Sequence, residues 1–356
     1  MNGAIGEVLI AWYEANRRDL PWRDTRDPYL IWISEIILQQ TRVAQGLDYY
    51  HRFTGRFPDV STLAAADEDE VLKYWQGLGY YSRARNLHAT AREIVQRFGG
   101  KFPATFDEVR SLKGVGDYTA AAICSFAYRQ PHATVDGNVY RVLARLFGVD
   151  APIDSGEGKR CFAALARECM VERFPDLYNQ AMMEFGALQC LPRSPACDRC
   201  PLQERCVAFA TRRVECLPVK KGKPTVKPRY FNYLHVNSNG VTLLAKRAAR
   251  DIWQNLYEFP LLETDRPVEF DELCLDPRFR ALLDGVTLVS VRERVPPKRH
   301  VLTHRVIHAR FYELELSAFS PTARAYLQVP DREVEEYAVS RLIQYYLEER
   351  ESPSLF

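Results

Sequence analysis

The sequence predicts two folded parts, an all-α domain over residues 1–215 and a smaller α+β domain over 230–356, joined by a basic linker at 216–229. Three observations predict this. Up to about residue 215, apolar residues recur at helical spacing and no alternating strand pattern of useful length interrupts them. The stretch TRRVECLPVKKGKPTVKPR (211–229) then carries seven basic residues, one acid and three prolines, the composition of a solvated, semi-extended connector. From Tyr230 onward the pattern turns strand-like. At 356 residues the chain suits two cores, and 47% hydrophobic with 12% aromatic content is that of a packed globular protein.

Taken in order, the N-terminal segment has no basic leader and carries Glu7 and Glu14 within its apolar stretch. Nor is any apolar run long enough to span a membrane, so a cytoplasmic protein is expected. Asp27-Pro28 caps a helix whose Leu30, Ile31, Ile33, Ile36 and Ile37 form a wide apolar stripe. LKGVGDYTAAA (112–122) reads as a G-x-G turn between two helices. Asp136 and Gly137 precede VYRVLARLF, in which Val139, Val142, Leu143, Leu146 and Phe147 recur at helical intervals. In the second part, YFNYLHV, NSNG and VTLLAKR read as a β-hairpin with Asn239-Gly240 at its turn. HVLTHRVIHARFYELEL reads as another long strand region, and VEEYAVSRLIQYYLEER returns to helical spacing.

Several residues carry chemistry. Net charge is only +2, so the location of charge matters more than its sum. Cys190, Cys197, Cys200 and Cys206 fall within seventeen residues in a C-x6-C-x2-C-x5-C pattern. In a reducing cytosol such a cluster favours metal over disulfide, and thiolates bind zinc or iron well. The backbone amides of Gly114, Val115 and Gly116 sit beside a helix N-terminus, a natural seat for phosphate, although a plain helix connection fits the turn equally. Glu35 lies among isoleucines and a tryptophan, where desolvation raises a carboxyl pKa. A Glu on the polar side of an amphipathic helix is the ordinary alternative. Asp136 reads equally as a helix N-cap.

The hairpin, Asp136 and the cysteine run follow one another in an order that resembles the helix–hairpin–helix base-excision DNA glycosylases. Within them the match is to the adenine glycosylases of the MutY family. LPWR (20–23), WISEIILQQT (32–41), GLGYYSRARNL (77–87), VDGNVYRVLAR (135–145) and NQAMMEFGALQC (179–190) look like that family's blocks. The resemblance covers nearly the whole chain and is strongest over 20–206. It implies an all-α helix–hairpin–helix core, with a [4Fe–4S] cluster on the four cysteines, and a Nudix-like α+β domain that recognises 8-oxoguanine.

By the same resemblance Glu35 is the general acid for adenine N7, and Asp136, positioned by Asn138, stabilises the sugar cation. Tyr118 stands where lyase relatives carry a Schiff-base lysine, and Tyr140 replaces a second family lysine. The hairpin's own Lys113 lies before the turn, so a monofunctional enzyme is expected. Trp22 and Glu184 match the adenine pocket, Gln40 and Tyr80 the residues that penetrate the duplex, and Thr41 one that touches the opposite base. Gly114, Val115 and Gly116 match the DNA-backbone grip, and Arg193 and Arg199 lie in the cysteine loop where phosphate passes. The family's Phe-Ser-His loop corresponds to Leu302, Thr303 and His304. REVEEY (332–337) lacks the paired glutamates and glycines of a magnesium-binding Nudix helix, so the second domain is expected to bind and not hydrolyse.

The implied partner is double-stranded DNA with adenine opposite 8-oxoguanine or guanine, met by a monomer in the cytoplasm, at the nucleoid of a prokaryotic cell. The competing readings are a bifunctional glycosylase/lyase resembling endonuclease III, disfavoured by Tyr118, and a non-catalytic Fe–S DNA-binding protein, which has no need of Glu35 with Asp136. A nucleotide pyrophosphohydrolase is opposed by the missing metal-binding helix.

Overall fold

Helix follows helix through the first half of the chain, as its periodicity requires: α1 (Gly3–Asn16), α2 (Pro28–Leu38), α3 (Val43–Arg56), α4 (Val60–Ala65), α5 (Glu68–Trp75), α6 (Ser82–Phe98), α7 (Phe106–Ser111), α8 (Asp117–Tyr128), α9 (Gly137–Phe147), α10 (Gly156–Glu168) and α11 (Pro175–Leu188). The short α12 (Val207–Ala210) follows the cysteine run. The structure is a computed structural model and describes residues 3–222, 226–248 and 250–351.

The chain divides into two units: Met1–Ala65 with Asn86–Gly222, and Ala66–Arg85 with Lys223–Phe356. This differs from the division expected at 215/216 in two ways. The break after the helices lies at 222/223, and residues 66–85, expected in the helical domain, group with the C-terminal sheet. The reason is chemical. The acids at the start of α5 find their partners there, where Asp69 pairs with Lys246 and accepts from the Tyr257 hydroxyl at 2.8 Å. The Tyr81 hydroxyl likewise donates to Val339 O at 3.2 Å.

In the first unit the expected stripe of α2 proves to be a helix buried on nearly every side. Eight of its eleven residues are buried, Glu35 among them, while Leu30 is half-buried. Pro28 opens the helix and Asp27 Oδ1 accepts the Tyr29 N–H at 2.8 Å, so the cap reads as expected. A second apolar core lies among α1, α9 and α11, around Leu9, Tyr13, Leu143, Phe162 and Phe185. Val139, Val142, Leu143 and Leu146 of α9 supply its buried face.

In the second unit, β1 (Lys227–Ser238) and β2 (Val241–Lys246) form the expected hairpin. Ser238 pairs with Val241, and Asn239 (φ 52°) with Gly240 (φ 76°) makes the left-handed two-residue turn that strand twist favours. The strand begins at Lys227, inside the stretch expected to be linker. Two short strands follow, β3 (Tyr257–Glu258) and β4 (Leu261–Thr264). The later strand region is not one strand. It is the end of β5 (Leu288–Val301) and all of β6 (Arg305–Leu316), folded back on each other, with the Leu302 N–H donating to Arg305 O at 2.8 Å. The sheet order is β3-β2-β1-β6-β5, with β1 and β6 parallel; β4 pairs with β1, and β7 (Leu327–Pro330) with β2. Two small helices, α13 (Phe270–Leu273) and α14 (Pro277–Leu282), precede β5. The expected C-terminal helix starts only at Arg341, as α15 (Arg341–Glu351). Most of the REVEEY segment is a 3₁₀ helix, Asp331–Glu336.

Candidate active site

The end of α2, the turn after it, and the inner faces of α8, α9 and α11 enclose a cleft of about 800 Å³ in the first unit. Glu35, Tyr118, Asp136 and Asn138 all line it. So do Trp22 and Glu184, and Gln40 and Thr41 at its edge. Eight residues singled out from scattered blocks of sequence therefore share one cavity.

Glu35 is 6% exposed. Burial pushes its carboxyl up to about 7; a hydrogen bond from the Tyr118 hydroxyl opposes that shift and the nearby charge of Asp136 adds to it. Near neutral pH this is a carboxylic acid with a proton to give. Tyr118 is half-buried, and its phenol is raised well above its ordinary value by desolvation and by the two carboxylates, so it stays a neutral donor.

Asp136 is both cap and site residue. Its Oδ1 accepts the N–H groups of Asn138 (2.9 Å) and Val139 (2.8 Å), and its Oδ2 accepts Asn138 Nδ2 at 2.8 Å. Burial raises its carboxyl, and these three bonds, with the Arg141 guanidinium, pull it back. The Asn138 amide is held in turn by Arg141 Nη2, which donates to Asn138 Oδ1 at 2.9 Å. Arg141 also donates to Gly186 O (2.5 Å) and Cys190 O (2.7 Å). Helix α11 packs so closely here that a Cβ on Gly186 would lie 2.6 Å from Asn138 Cβ.

Glu184 is 1% exposed but differs from Glu35. Burial alone would raise it, yet hydrogen bonds from Arg18 and Arg23 outweigh burial and hold it at about 2. Its Oε1 accepts Arg18 N (3.0 Å), Arg18 Nε (2.9 Å) and Arg23 Nη1 (2.9 Å), and its Oε2 accepts one guanidinium nitrogen of each arginine at 2.5 Å. The carboxylate is saturated, so it acts on the cleft by fixing two guanidinium groups. Arg18, Arg23, Arg141 and Gln180 line the cleft and were not singled out from sequence. The signal available was their presence within or beside the quoted blocks LPWR, VDGNVYRVLAR and NQAMMEFGALQC.

Trp22 sits in a 3₁₀ turn, Pro21–Arg23, edge-on to Tyr50 with ring centroids 5.2 Å apart. Gln40 is exposed with φ 58°, on the turn that ends α2. The hairpin 112–116 joins α7 to α8 outside the cleft. Gly114 has φ +77°, and a Cβ there would meet Asn86 at 2.9 Å, so only glycine fits. The Val115 N–H is used within the turn, donating to Leu112 O at 3.1 Å, whereas the amides of Gly114 and Gly116 have no protein partner among the described residues. The expected three-amide seat is thus a two-amide seat.

Tyr80 and Thr303 belong to the second unit. Tyr80 is 51% exposed with φ 46°, and its hydroxyl lies 3.0 Å from Thr303 Oγ1. Thr303 and His304 are exposed at the tip of the β5–β6 hairpin, and Leu302 packs against the apolar core beneath.

The four clustered cysteines line one small pocket with Phe209, Val214 and Arg145. They do not close on a point: among the described residues, no three His, Cys, Asp or Glu side chains converge on a single metal ion. Burial and mutual repulsion push the Cys200 thiol up to about 11. Thiols crowded in this way become thiolates only against compensating cationic charge, which several iron ions supply. Arg145, 2% exposed, clasps the loop by donating to Leu191 O (2.6 Å), Pro192 O (3.0 Å) and Leu217 O (3.2 Å).

A helical core built round such a hairpin, with an acid kept protonated by burial, is that of a base-excision repair protein. Residues 33–165 match the family described as HhH-GPD superfamily base excision DNA repair protein. Residues 190–206 match the iron-sulfur binding domain of endonuclease III, and 232–349 a NUDIX domain. The cofactor is a [4Fe–4S] cluster. Adenine DNA glycosylase of Buchnera aphidicola subsp. Baizongia pistaciae is 35% identical over 256 residues, 71% of this chain and 72% of that protein. Adenine DNA glycosylase of Mus musculus is 40% identical over 238 residues, 64% of this chain but 46% of that longer protein. The chain belongs to the adenine DNA glycosylase family. Among solved structures, a thermostable thymine-DNA glycosylase superposes with a TM-score of 0.55 at 29% identity, covering 59% of this chain and 97% of that one. A trapped endonuclease III–DNA covalent intermediate shares the fold, with a TM-score of 0.52 at 22% identity over 60% of this chain and 98% of that one.

Proposed function

We propose that this enzyme hydrolyses the N-glycosidic bond of adenine opposite 8-oxoguanine or guanine in double-stranded DNA, as a monofunctional glycosylase. The observation that carries the reading is Glu35, buried, held near pKa 7 and sharing a cleft with the capped carboxylate Asp136. Glu35 gives its proton to adenine N7, turning the base into a leaving group. Asp136 then faces the cationic sugar, which is captured by water, the two-carboxylate logic of glycoside hydrolysis. Asn138 orients Asp136, and Tyr118 holds the Glu35 carboxyl in place. Trp22 and the arginines fixed by Glu184 surround the extruded base. No lysine is among the residues that line the cleft, and a phenol cannot form an imine, which supports a glycosylase without lyase activity.

In this reading the unit of Met1–Ala65 with Asn86–Gly222 holds the glycosylase core, and the unit of Ala66–Arg85 with Lys223–Phe356 holds the recognition domain. Gln40 and Tyr80 enter the duplex beside the mispair, Thr41 touches the opposite base, the Gly114–Val115–Gly116 turn grips backbone phosphate, and Thr303 with His304 meets 8-oxoguanine. Cys190, Cys197, Cys200 and Cys206 hold the cluster, whose role is to pin a loop carrying Arg193 and Arg199 against phosphate. No helix among the described residues is long and apolar enough to cross a membrane. The enzyme acts as a monomer in the cytoplasm, on the nucleoid of a prokaryotic cell.

The test is single-turnover excision on duplexes placing A opposite 8-oxoguanine, G, C and T, with borohydride trapping in parallel. Release opposite 8-oxoguanine and G without a trapped adduct is expected; release opposite T, or a robust adduct, overturns the reading. Cys206→Ser is expected to lower duplex affinity at least about tenfold in fluorescence anisotropy at fixed salt, because the arginines lose their anchored geometry. Full affinity in that variant would remove the loop from DNA binding.

A further inference from the structure

We infer that Asn179 is a positioning residue for Asp136: its buried amide holds the chain segment that delivers this carboxylate and ties it to the helices carrying Tyr118 and Glu184. The inference rests on the adenine-glycosylase reading above and deepens it. Asn179 stands on α11 within the NQAMMEFGALQC block, yet it is not among the residues that line the cleft. It acts through the backbone of residues 129–135, the irregular segment that leaves α8 and ends at Asp136.

That segment belongs to no helix or strand, so its buried backbone groups need partners elsewhere. Asn179 supplies them by taking the part of a neighbouring strand. Its Oδ1 accepts the Thr134 N–H at 3.0 Å, and its Nδ2 donates to His132 O at 2.8 Å. Nδ2 also donates to Ser125 Oγ on α8, at 2.9 Å. Ser125 sends its own proton to Ala122 O (3.3 Å), which leaves its oxygen to accept. A backbone N–H only donates and a carbonyl only accepts, so the two ends of the amide cannot be exchanged. Asn179, Ser125 and Thr134 are all buried, where water cannot replace a lost bond.

Val135, next in the chain, packs against the apolar core, and Asp136 follows with its carboxylate capping α9 and lining the cleft. The cap bonds fix that carboxylate relative to α9. The Asn179 bonds fix the point at which the chain enters the cap, relative to α8 and α11. Tyr118 opens α8 and Glu184 stands on α11, so one amide joins three walls of the cleft. A carboxylate stabilises a developing sugar cation best at the distance the site is built for, and a displacement of about 1 Å can cost about 10²-fold in rate.

The test uses the full-length enzyme with its cluster in place. Asn179→Leu keeps the branched shape and removes all three hydrogen bonds without adding charge. Two readouts are taken on duplexes with 8-oxoguanine opposite the site. One is single-turnover adenine excision; the other is affinity for two abasic analogues, a neutral tetrahydrofuran and a cationic pyrrolidine that mimics the charged sugar. Asn179→Leu is expected to slow excision at least about tenfold, the loss of buried bonds behind a closed site. It should bind the tetrahydrofuran duplex within about threefold of the unsubstituted enzyme but lose most of the preference for pyrrolidine, which the Asp136 charge supplies. Ser125→Ala cuts only the tie to α8 and should move both readouts the same way, about threefold, so it answers for the larger change if that variant fails to fold. In an Asp136→Asn background neither substitution should reduce the pyrrolidine preference further. Unchanged excision and preference in the variants that fold, or equal weakening of both analogues, overturns the inference, because a merely structural role affects the two alike. If Asp136→Asn itself keeps full excision and preference, the parent reading fails instead.

Discussion

Glu35→Gln is expected to lower single-turnover adenine release by about 10²–10⁴-fold at pH 7, the usual contribution of a positioned general acid. It is also expected to leave the protein more stable than the unsubstituted chain above that pH. Both effects come from one fact, the rise of the buried Glu35 carboxyl from 4.5 to about 7. Glutamine keeps the size and the ability to accept from Tyr118, so the cleft stays filled, but it has no proton acidic enough to give to N7. A variant that releases adenine at the unsubstituted rate would remove Glu35 from the mechanism.

The pH dependence follows with a definite sign. The folded state holds the Glu35 proton more tightly than the unfolded state, so the native protein binds more protons between pH 4.5 and about 7. Stability linked to this group is therefore fully present below about 4.5 and is lost as pH rises through about 7. The loss is roughly 3 kcal/mol for a shift of this size. Urea unfolding at pH 5.5 and 8.5 should show about 2 kcal/mol of that loss in the unsubstituted protein and none in Glu35→Gln. Excision limited by the same proton should fall on the alkaline side of about pH 7. Equal pH dependence of stability in the two proteins would mean that Glu35 titrates normally.

What the sequence discloses about such a site depends on how local the signal is. The four cysteines are adjacent in the chain, the cap at Asp27-Pro28 is two residues, and the Asn239-Gly240 turn is written in its own dipeptide. Each was legible. The helical stripe of α2 was legible too, but not the side on which Glu35 falls, because the helix is buried nearly all round and periodicity marks no polar face. The Glu184 clamp was not readable at all. Its partners are 161 and 166 residues away, and an isolated arginine in sequence carries the pattern of a solvated side chain. The same holds for the parallel β1–β6 pairing and for residues 66–85 joining the sheet, which rest on contacts across long loops.

Asp136→Asn should separate folding from catalysis at a residue that serves both. Asparagine caps helices about as well as aspartate, so α9 loses little stability, whereas Asp136→Ala should lose about 1 kcal/mol more in the same unfolding measurement. Catalysis needs the charge that asparagine lacks. A developing sugar cation is stabilised by an anion in a site closed to water far more than by a neutral amide, and a loss of about 10²–10⁴-fold in single-turnover excision is expected. The three hydrogen bonds to the Asp136 carboxylate favour its charged form against the burial that would neutralise it, so their removal should act in the same direction. Arg141→Gln, which frees the Asn138 amide from its anchor on Gly186 O and Cys190 O, should then weaken excision in proportion to the pH at which Asp136 titrates. Its acid limb should move to higher pH as the carboxylate loses support, while the alkaline limb set by Glu35 stays in place. An acid limb unmoved in Arg141→Gln would separate the two halves of the network and leave Arg141 a structural strut of α9 and α11 alone.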